Sequence, residues 1–332
     1  MDILFYTNFV GIDIAKAKFD VAIRLQNGKF KHKVFVNDKQ GFNLFYQWLN
    51  QFDGKSYFLL EATNIYHMDL ADFLYDKGLT VAVINPKSTP NFAKSANLRS
   101  KTDKVDAKLL AEFACFNASK LHTYQPKPAN ERKLLNMMRQ LEHLKTKVAQ
   151  ETVRLGMLKD DDCIQSSQEL IDYLSLKIKE LESKIALLVR QDRALNENFK
   201  LLKSIPAIGD VTAYWLLAYL ASCGFKNGKE AATFFGLTPM LRQSGSSVYA
   251  VCGISKIGHS DIRKALYAPA MNFAFGRWKD DVYKPFVERL VANGKAKKVV
   301  IVALMRKLVT IAFSVLKNQT LFDASKLGFQ AA

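Results

Sequence analysis

Along residues 9–23, FVGIDIAKAKFDVAI, apolar and polar positions alternate, the period of two short strands. Gln26-Asn27-Gly28-Lys29 is a turn by composition, and KHKVFVN continues as a further strand. Phe42 to Leu49 has helical spacing. Tyr57 to Leu60 is a short apolar run closed by Glu61; a helix is predicted from about Asn64 to Lys77, and VAVIN at 81–85 gives another strand. Pro86 to Ser100 is polar and interrupted by Pro90, so it reads as a loop, and Thr102 to Phe116 reads as a helix. Strands first and then strand–helix–strand predict an α/β domain over residues 1–125.

From Asn130 to Asn198 the period changes. Leu134, Met138, Leu141, Leu144 and Val148 recur at helical spacing, as do Leu170, Leu174, Ile178, Leu181, Ile185 and Leu188. The polar break Asp160-Asp161-Asp162 predicts an antiparallel, coiled-coil-like hairpin over 126–199 rather than one rod. It serves either as a spacer or as a dimerisation arm. Residues 200–320 read as mostly helical, with a Gly/Ser-rich loop near 236–260, and 321–332 as a tail.

Charge then narrows the function. Among 332 residues, 48 Lys and Arg face 31 Asp and Glu, a net +17, while 49% are hydrophobic. A foldable chain with that excess favours a polyanion, because its cations release phosphate counterions on binding. A basic membrane-surface protein would need an amphipathic basic helix or a lipidation signal, and the sequence offers neither. The longest uncharged stretch, Val211 to Phe225, is too short for a span of ~20 residues and reads as a buried helix. Cys115, Cys163, Cys223 and Cys252 are far apart and form no C-x-x-C pair, which argues against zinc or disulfides and suits a reducing cytoplasm.

Four acids are placed as a metal site would need them. Asp13 lies within the strand GIDIAK, Glu61 closes the next strong strand, and Asp103 and Asp106 lie three apart at a helix start. Carboxylates converging from different elements can hold two hard cations ~4 Å apart. Their order is that of the D-E-D-D site of RuvC-type resolvases on a ribonuclease H-like sheet. Each acid taken singly is as well explained by solvation or by the helix dipole.

Further on, IPAIGDVTA at 205–213 has the shape of a helix-hairpin-helix turn, which presents backbone N–H groups to a phosphate. Ser244, Ser246 and Ser247 follow within four residues, flanked by Arg242, Lys256 and Arg263. Serine needs activation to act as a nucleophile, and nearby cations would stabilise a pentacoordinate phosphorus. By composition alone the segment is equally a Gly-Ser surface turn.

Together these segments resemble the IS110-family transposases: GIDIAKAKFDVAI, LLEAT, NPKSTPNFAKSANLRSKTDKVDAKLLAEF, IPAIG, FFGLTP, RQSGSS, ISKIGHSDIRKALY and NGKAKKVVIVALMRKL. The resemblance covers about 9–116 and 200–316. It implies a RuvC-like domain whose acids are Asp13, Glu61, Asp103 and Asp106, with Mg2+ or Mn2+ near them. It also implies a transposase domain whose catalytic serine falls at Ser244, forming a 5′-phosphoserine link to DNA, with Arg242, Lys256 and Arg263 as nucleic-acid contacts. Donor and target DNA, a noncoding bridge RNA that pairs with both, and homodimers or homotetramers are the implied partners. The implied setting is the bacterial cytoplasm, at the nucleoid. Two rival readings stay open: a RuvC-like nuclease using metal-activated water, which needs the acids but not the serine, and a basic architectural protein, which needs neither.

Overall fold

The computed structural model describes residues 5–63, 65–86, 102–222, 224–244 and 248–327, with 241–244 and 248–252 by backbone alone. The chain divides into two compact units, Met1–Pro126 and Lys127–Ala332.

Unit one is built on a five-stranded sheet: β1 (Asn8–Ile14), β2 (Lys18–Arg24), β3 (Phe30–Val36), β4 (Ser56–Glu61) and β5 (Thr80–Ile84). The spatial order is β3-β2-β1-β4-β5, with β1, β2 and β3 antiparallel and β4 and β5 parallel to β1. Period-two alternation gives the sheet two different faces. Val10, Ile12, Ile14, Phe19, Val21, Ile23, Phe58 and Leu60 pack against helices α1 (Lys39–Leu49) and α2 (Met68–Asp76). Helix α2 begins four residues later than its pattern suggests, because the chain first turns at 65–67, where Met68 N–H donates to the Ile65 carbonyl.

The opposite face, with Phe9, Tyr57 and Leu59, is covered by helix α3 (Asp103–Asn117) through Leu110 and Ala114. That helix lies unusually close to the sheet, over Gly11. A Cβ on Gly11 would stand 2.2 Å from the Ala107 carbonyl oxygen and 2.3 Å from the Ala111 nitrogen. Only a glycine in the strand, beneath Ala107 and Ala111 in the helix, allows this approach. The contact fixes where the first turn of α3 sits. The polar stretch read as a loop at 86–100 falls almost wholly outside the described residues.

Unit two holds both the hairpin and the C-terminal helices. Helices α4 (Ala129–Leu155) and α5 (Asp161–Gln191) form the antiparallel pair. The aspartate run breaks the rod for a specific reason: Asp160 caps α5 by accepting from the Cys163 N–H, and Asp161 and Asp162 occupy its first turn. Near the base, Leu134, Met138, Leu141, Ile185 and Val189 enter one core with α6 (Arg193–Lys203), α7 (Asp210–Leu220), α8 (Gly228–Phe234), α9 (Ser260–Phe275), α10 (Lys284–Ala292) and α11 (Lys297–Asn318). Farther out, Val153, Met157, Leu170, Tyr173 and Leu176 are exposed.

Within the uncharged stretch, α7 is buried from Trp215 to Leu220, as its lack of charge suggests, while Val211 at its start is exposed. By length and composition α11 could cross a membrane, yet 56% of its most apolar window is buried within the protein. Val300, Leu304, Leu308 and Ala312 there are wholly enclosed by neighbouring helices, the position of a core helix.

One sequence expectation is corrected. The 236–260 segment is not a loop but carries a β-hairpin, β6 (Pro239–Ser244) and β7 (Val248–Ile254). Its β-branched and aromatic residues, Val248, Tyr249 and Val251, supply the strand propensity that the surrounding Gly and Ser residues obscure.

Candidate active site

The acids of unit one converge because of strand alternation. Phe9, Gly11 and Asp13 of β1 point to the α3 face, as do Tyr57, Leu59 and Glu61 of β4. Ile12 pairs with Leu60, so Asp13 and Glu61 are one residue further along adjacent parallel strands. On the other side Asp13 pairs directly with Asp20 of β2. Above them, the Gly11 contact brings down the N-terminal turn of α3, which Thr102 caps by accepting from the Val105 N–H at 3.3 Å and which contains Asp103 and Asp106.

The electrostatic consequence is carried by Asp13. Its carboxyl is pushed up to about 6, first by burial and then by the charges of Asp106, Asp103, Glu61 and Asp20. Four other carboxylates thus act on Asp13. Asp20, which sequence reasoning passed over, is almost fully enclosed, at 4% exposure. Its Oδ1 lies 2.9 Å from His32 Nε2, and its Oδ2 accepts from Lys18 Nζ at 3.2 Å. The same ammonium donates to Asp103 Oδ2 at 2.8 Å, and this pair holds the Asp103 carboxyl below its usual value. The signal was present in KFDVAI, where Lys18 and Asp20 alternate with Phe19, Val21 and Ile23.

As a metal site, this donor set fits in kind and in charge. All its ligand atoms would be hard carboxylate oxygens, and the neighbouring negative charge that, after burial, raises Asp13 is what a divalent cation would relieve. The spacing is open: among the described residues, no three His, Cys, Asp or Glu side chains are grouped so as to hold an ion.

The serine segment lies in unit two. Ser244 ends β6 and pairs with Val248, which puts it at the tip of the hairpin; Ser246 and Ser247 lie outside the described residues. The base of the hairpin is clamped by two close glycine approaches. Gly236 has φ +68°, and a Cβ there would meet the Ile257 carbonyl oxygen at 2.6 Å; Gly258, at φ +125°, would meet the Phe234 carbonyl oxygen at 2.1 Å. Lys256 N–H donates to the Gly236 carbonyl and Ser255 N–H to that of Thr238. Of the three predicted cations, Arg242 lies on β6, its side chain outside the described part. Lys256 is exposed, in a left-handed conformation at φ 53°. Arg263 turns inward, its Nη1 donating to the carbonyls of Phe235 at 2.8 Å and His259 at 3.2 Å, so it fastens the clamp.

Beneath the clamp is a polar group that sequence reasoning missed. The Tyr219 hydroxyl donates to Asp261 Oδ2 at 2.7 Å and lies 3.2 Å from His259 Nδ1, while Arg139 donates to the Tyr219 oxygen at 3.4 Å. The His259 ring packs between Tyr219 and Phe234, and its pKa falls to about 4, chiefly through burial. The helix-hairpin-helix segment does form a turn between α6 and α7. Ala207 stands there at φ 79°, Gly209 caps α7, and Lys203 pairs with Asp210 at 2.7 Å.

Unit one thus sets carboxylates on one face of an α/β sheet, and unit two carries a β-hairpin with Ser244 at its tip. Comparison with known proteins gives the family. Residues 10–158 match the DEDD transposase domain of IS110 elements, and 199–286 match the transposase family IS116/IS110/IS902. The pilin gene-inverting protein of Moraxella bovis is 34% identical over 320 residues, 95% of this chain and 97% of its own length; that of Moraxella lacunata is similar to the same extent. The chain belongs to the IS110 family of transposases, and it is a DNA transposase/recombinase.

Proposed function

We propose that this recombinase cuts and rejoins DNA through a 5′-phosphoserine intermediate, with Ser244 as nucleophile. The observation that carries this reading is the hairpin: a two-glycine clamp at its base holds up a tip that begins at Ser244. The Ser244 Oγ attacks a backbone phosphorus, the Oγ–P bond forms, and the P–O3′ bond breaks, so the 3′ oxygen leaves with a proton. A 3′-hydroxyl from the exchanged strand reverses the step and releases the serine. Arg242 and Lys256, on the hairpin and at its base, would hold the non-bridging oxygens.

Asp13, Glu61, Asp103 and Asp106 would hold Mg2+ or Mn2+. When bound, such an ion neutralises charge developing on the phosphate. The carboxylates themselves orient the strand end and supply the surface on which a proton can be passed.

The partners follow from chemistry and kinship. The net charge of +17 suits donor and target DNA, and the sequence carries no base-reading helix motif, which leaves target choice to a bridge RNA. The exposed outer stripe of the hairpin, Leu170, Tyr173 and Leu176, suits self-association into a dimer or tetramer, at the nucleoid of a bacterial cytoplasm. The Moraxella relatives are named for inverting a pilin gene, and inversion shares its strand exchange with insertion.

Recombination by purified protein, with and without RNA transcribed from the flanks of its gene, tests this function. Sequenced junctions should appear only with RNA and should move when the RNA loops are changed. Identical junctions from protein alone would remove the guide from the reaction.

A further inference from the structure

Lys18 is unusual in what it joins. Its ammonium binds Asp20 on its own strand and Asp103 on α3, 85 residues away, at 3.2 and 2.8 Å. Stability is a poor reason for the second contact, since Lys18 is 48% and Asp103 57% exposed, and solvent screens such pairs until little net gain is left. Charge balance is a better one. Asp13 and Asp20 face each other across β1 and β2, and Asp103 lies within reach of the same ammonium, so negative charge gathers around it. Lys18 places one ammonium between two members of that cluster.

We propose that Lys18 is the resident counter-cation of the acidic site, a positioning residue that binds Asp103 in the metal-free protein and must release it for a divalent ion to be held. This rests on the reading of the cluster as a metal site. An ammonium already engages Asp103 Oδ2, so that oxygen has to exchange partners before it can ligate an ion. Asp20, held by His32 on one oxygen and Lys18 on the other, anchors the lysine rather than contributing a ligand. The strand places the ammonium correctly because Lys18 and Asp20 are two residues apart on one face.

A bound ion competes with a fixed positive charge nearby, so removing that charge tightens binding. The test is Mn2+ binding to the full-length protein, followed by the paramagnetic resonance of free Mn2+ at low ionic strength. Wild type, Lys18→Met, Lys18→Arg and Asp13→Asn are compared, each with its melting temperature in the absence of metal. Lys18→Met should bind Mn2+ on the order of tenfold more tightly. It should also melt lower than wild type without metal and higher once Mn2+ is added. Lys18→Arg, which keeps the charge, should stay within about twofold of wild type. Unchanged or weaker binding by Lys18→Met, with Asp13→Asn still losing Mn2+, overturns the role of Lys18 and leaves the metal reading intact. Equal Mn2+ binding by wild type and Asp13→Asn, or none by any protein, overturns the metal reading and Lys18's role with it.

Discussion

Replacing Gly11 by alanine should destabilise unit one by about 3 kcal/mol or more, at the upper end of what overpacking costs. The added Cβ would meet Ala107 O at 2.2 Å, Ala111 N at 2.3 Å and Leu110 C at 2.8 Å, all backbone atoms that no rotamer change can move. Helix α3 must therefore lift, which separates Leu110 and Ala114 from Phe9, Tyr57 and Leu59. Lifting α3 also withdraws Asp103 and Asp106 from Asp13, so strand cleavage should fall even where the protein remains folded. Gly28→Ala is the natural control: nothing lies within 4 Å of its Cβ, and its φ of +77° should cost only ~1 kcal/mol. Thermal and urea melts decide the matter. Should Gly11→Ala melt like the Gly28 variant, α3 is not seated on β1 as described.

The second large effect is a loss of stability in mild acid, traceable to His259. Its folded pKa is about 4, against 6.5 for the free side chain, so between these values the unfolded chain binds the extra proton. The sign follows directly. The contribution of neutral His259 is fully present above pH 6.5 and is lost as pH falls toward 4. A shift of that size corresponds to about 3 kcal/mol. His259→Gln keeps a hydrogen-bonding side chain beside Tyr219 but cannot titrate. Carboxylates also titrate in this range, so the informative quantity is the difference between wild type and variant at each pH. That difference should shrink by about 3 kcal/mol between about pH 7 and pH 4. Parallel stability curves would mean that His259 takes up its proton alike in the folded and unfolded chains.

How much of this was legible in the sequence depended on period. Strands β1 and β2 announce themselves by alternation and β4 by a short apolar run, whereas the shared face of Asp13 and Glu61 depends on the β1–β4 register. Asp103 and Asp106 read as a helix start from the pattern over Thr102–Phe116, and Thr102 is the cap that sets that start. Asp20 did not stand out, since a single acid in a strand resembles any solvated position until the pairing register sets it opposite Asp13. Lys18 joining Asp103 was unreadable for the same reason: the contact spans 85 residues and depends on Gly11 seating α3. In unit two, the β6–β7 hairpin was concealed by glycine and serine, whose weak strand preference hides the apolar residues between them. The clamp needs both FFGLTP and ISKIGH, and no local pattern in either segment discloses the other. Arg263 reads in the sequence as a candidate phosphate contact, and its backbone acceptors on Phe235 and His259 are invisible there.

The central claim is that a serine at the tip of this hairpin becomes linked to DNA and that the acidic cluster is required for that step. The most direct measurement uses a suicide substrate, a nicked duplex from which the cut strand diffuses away, so that cleavage leaves a stable protein–DNA adduct. Wild type with Mg2+ should give an adduct whose DNA-bearing peptide contains Ser244. Ser244→Ala and Asp13→Asn should bind the same DNA yet form none. An adduct that persists in Ser244→Ala and vanishes in Ser246→Ala or Ser247→Ala would move the nucleophile along the tip. Cleaved DNA with free 5′-phosphate ends and no adduct in any protein would contradict the claim and identify a hydrolytic nuclease.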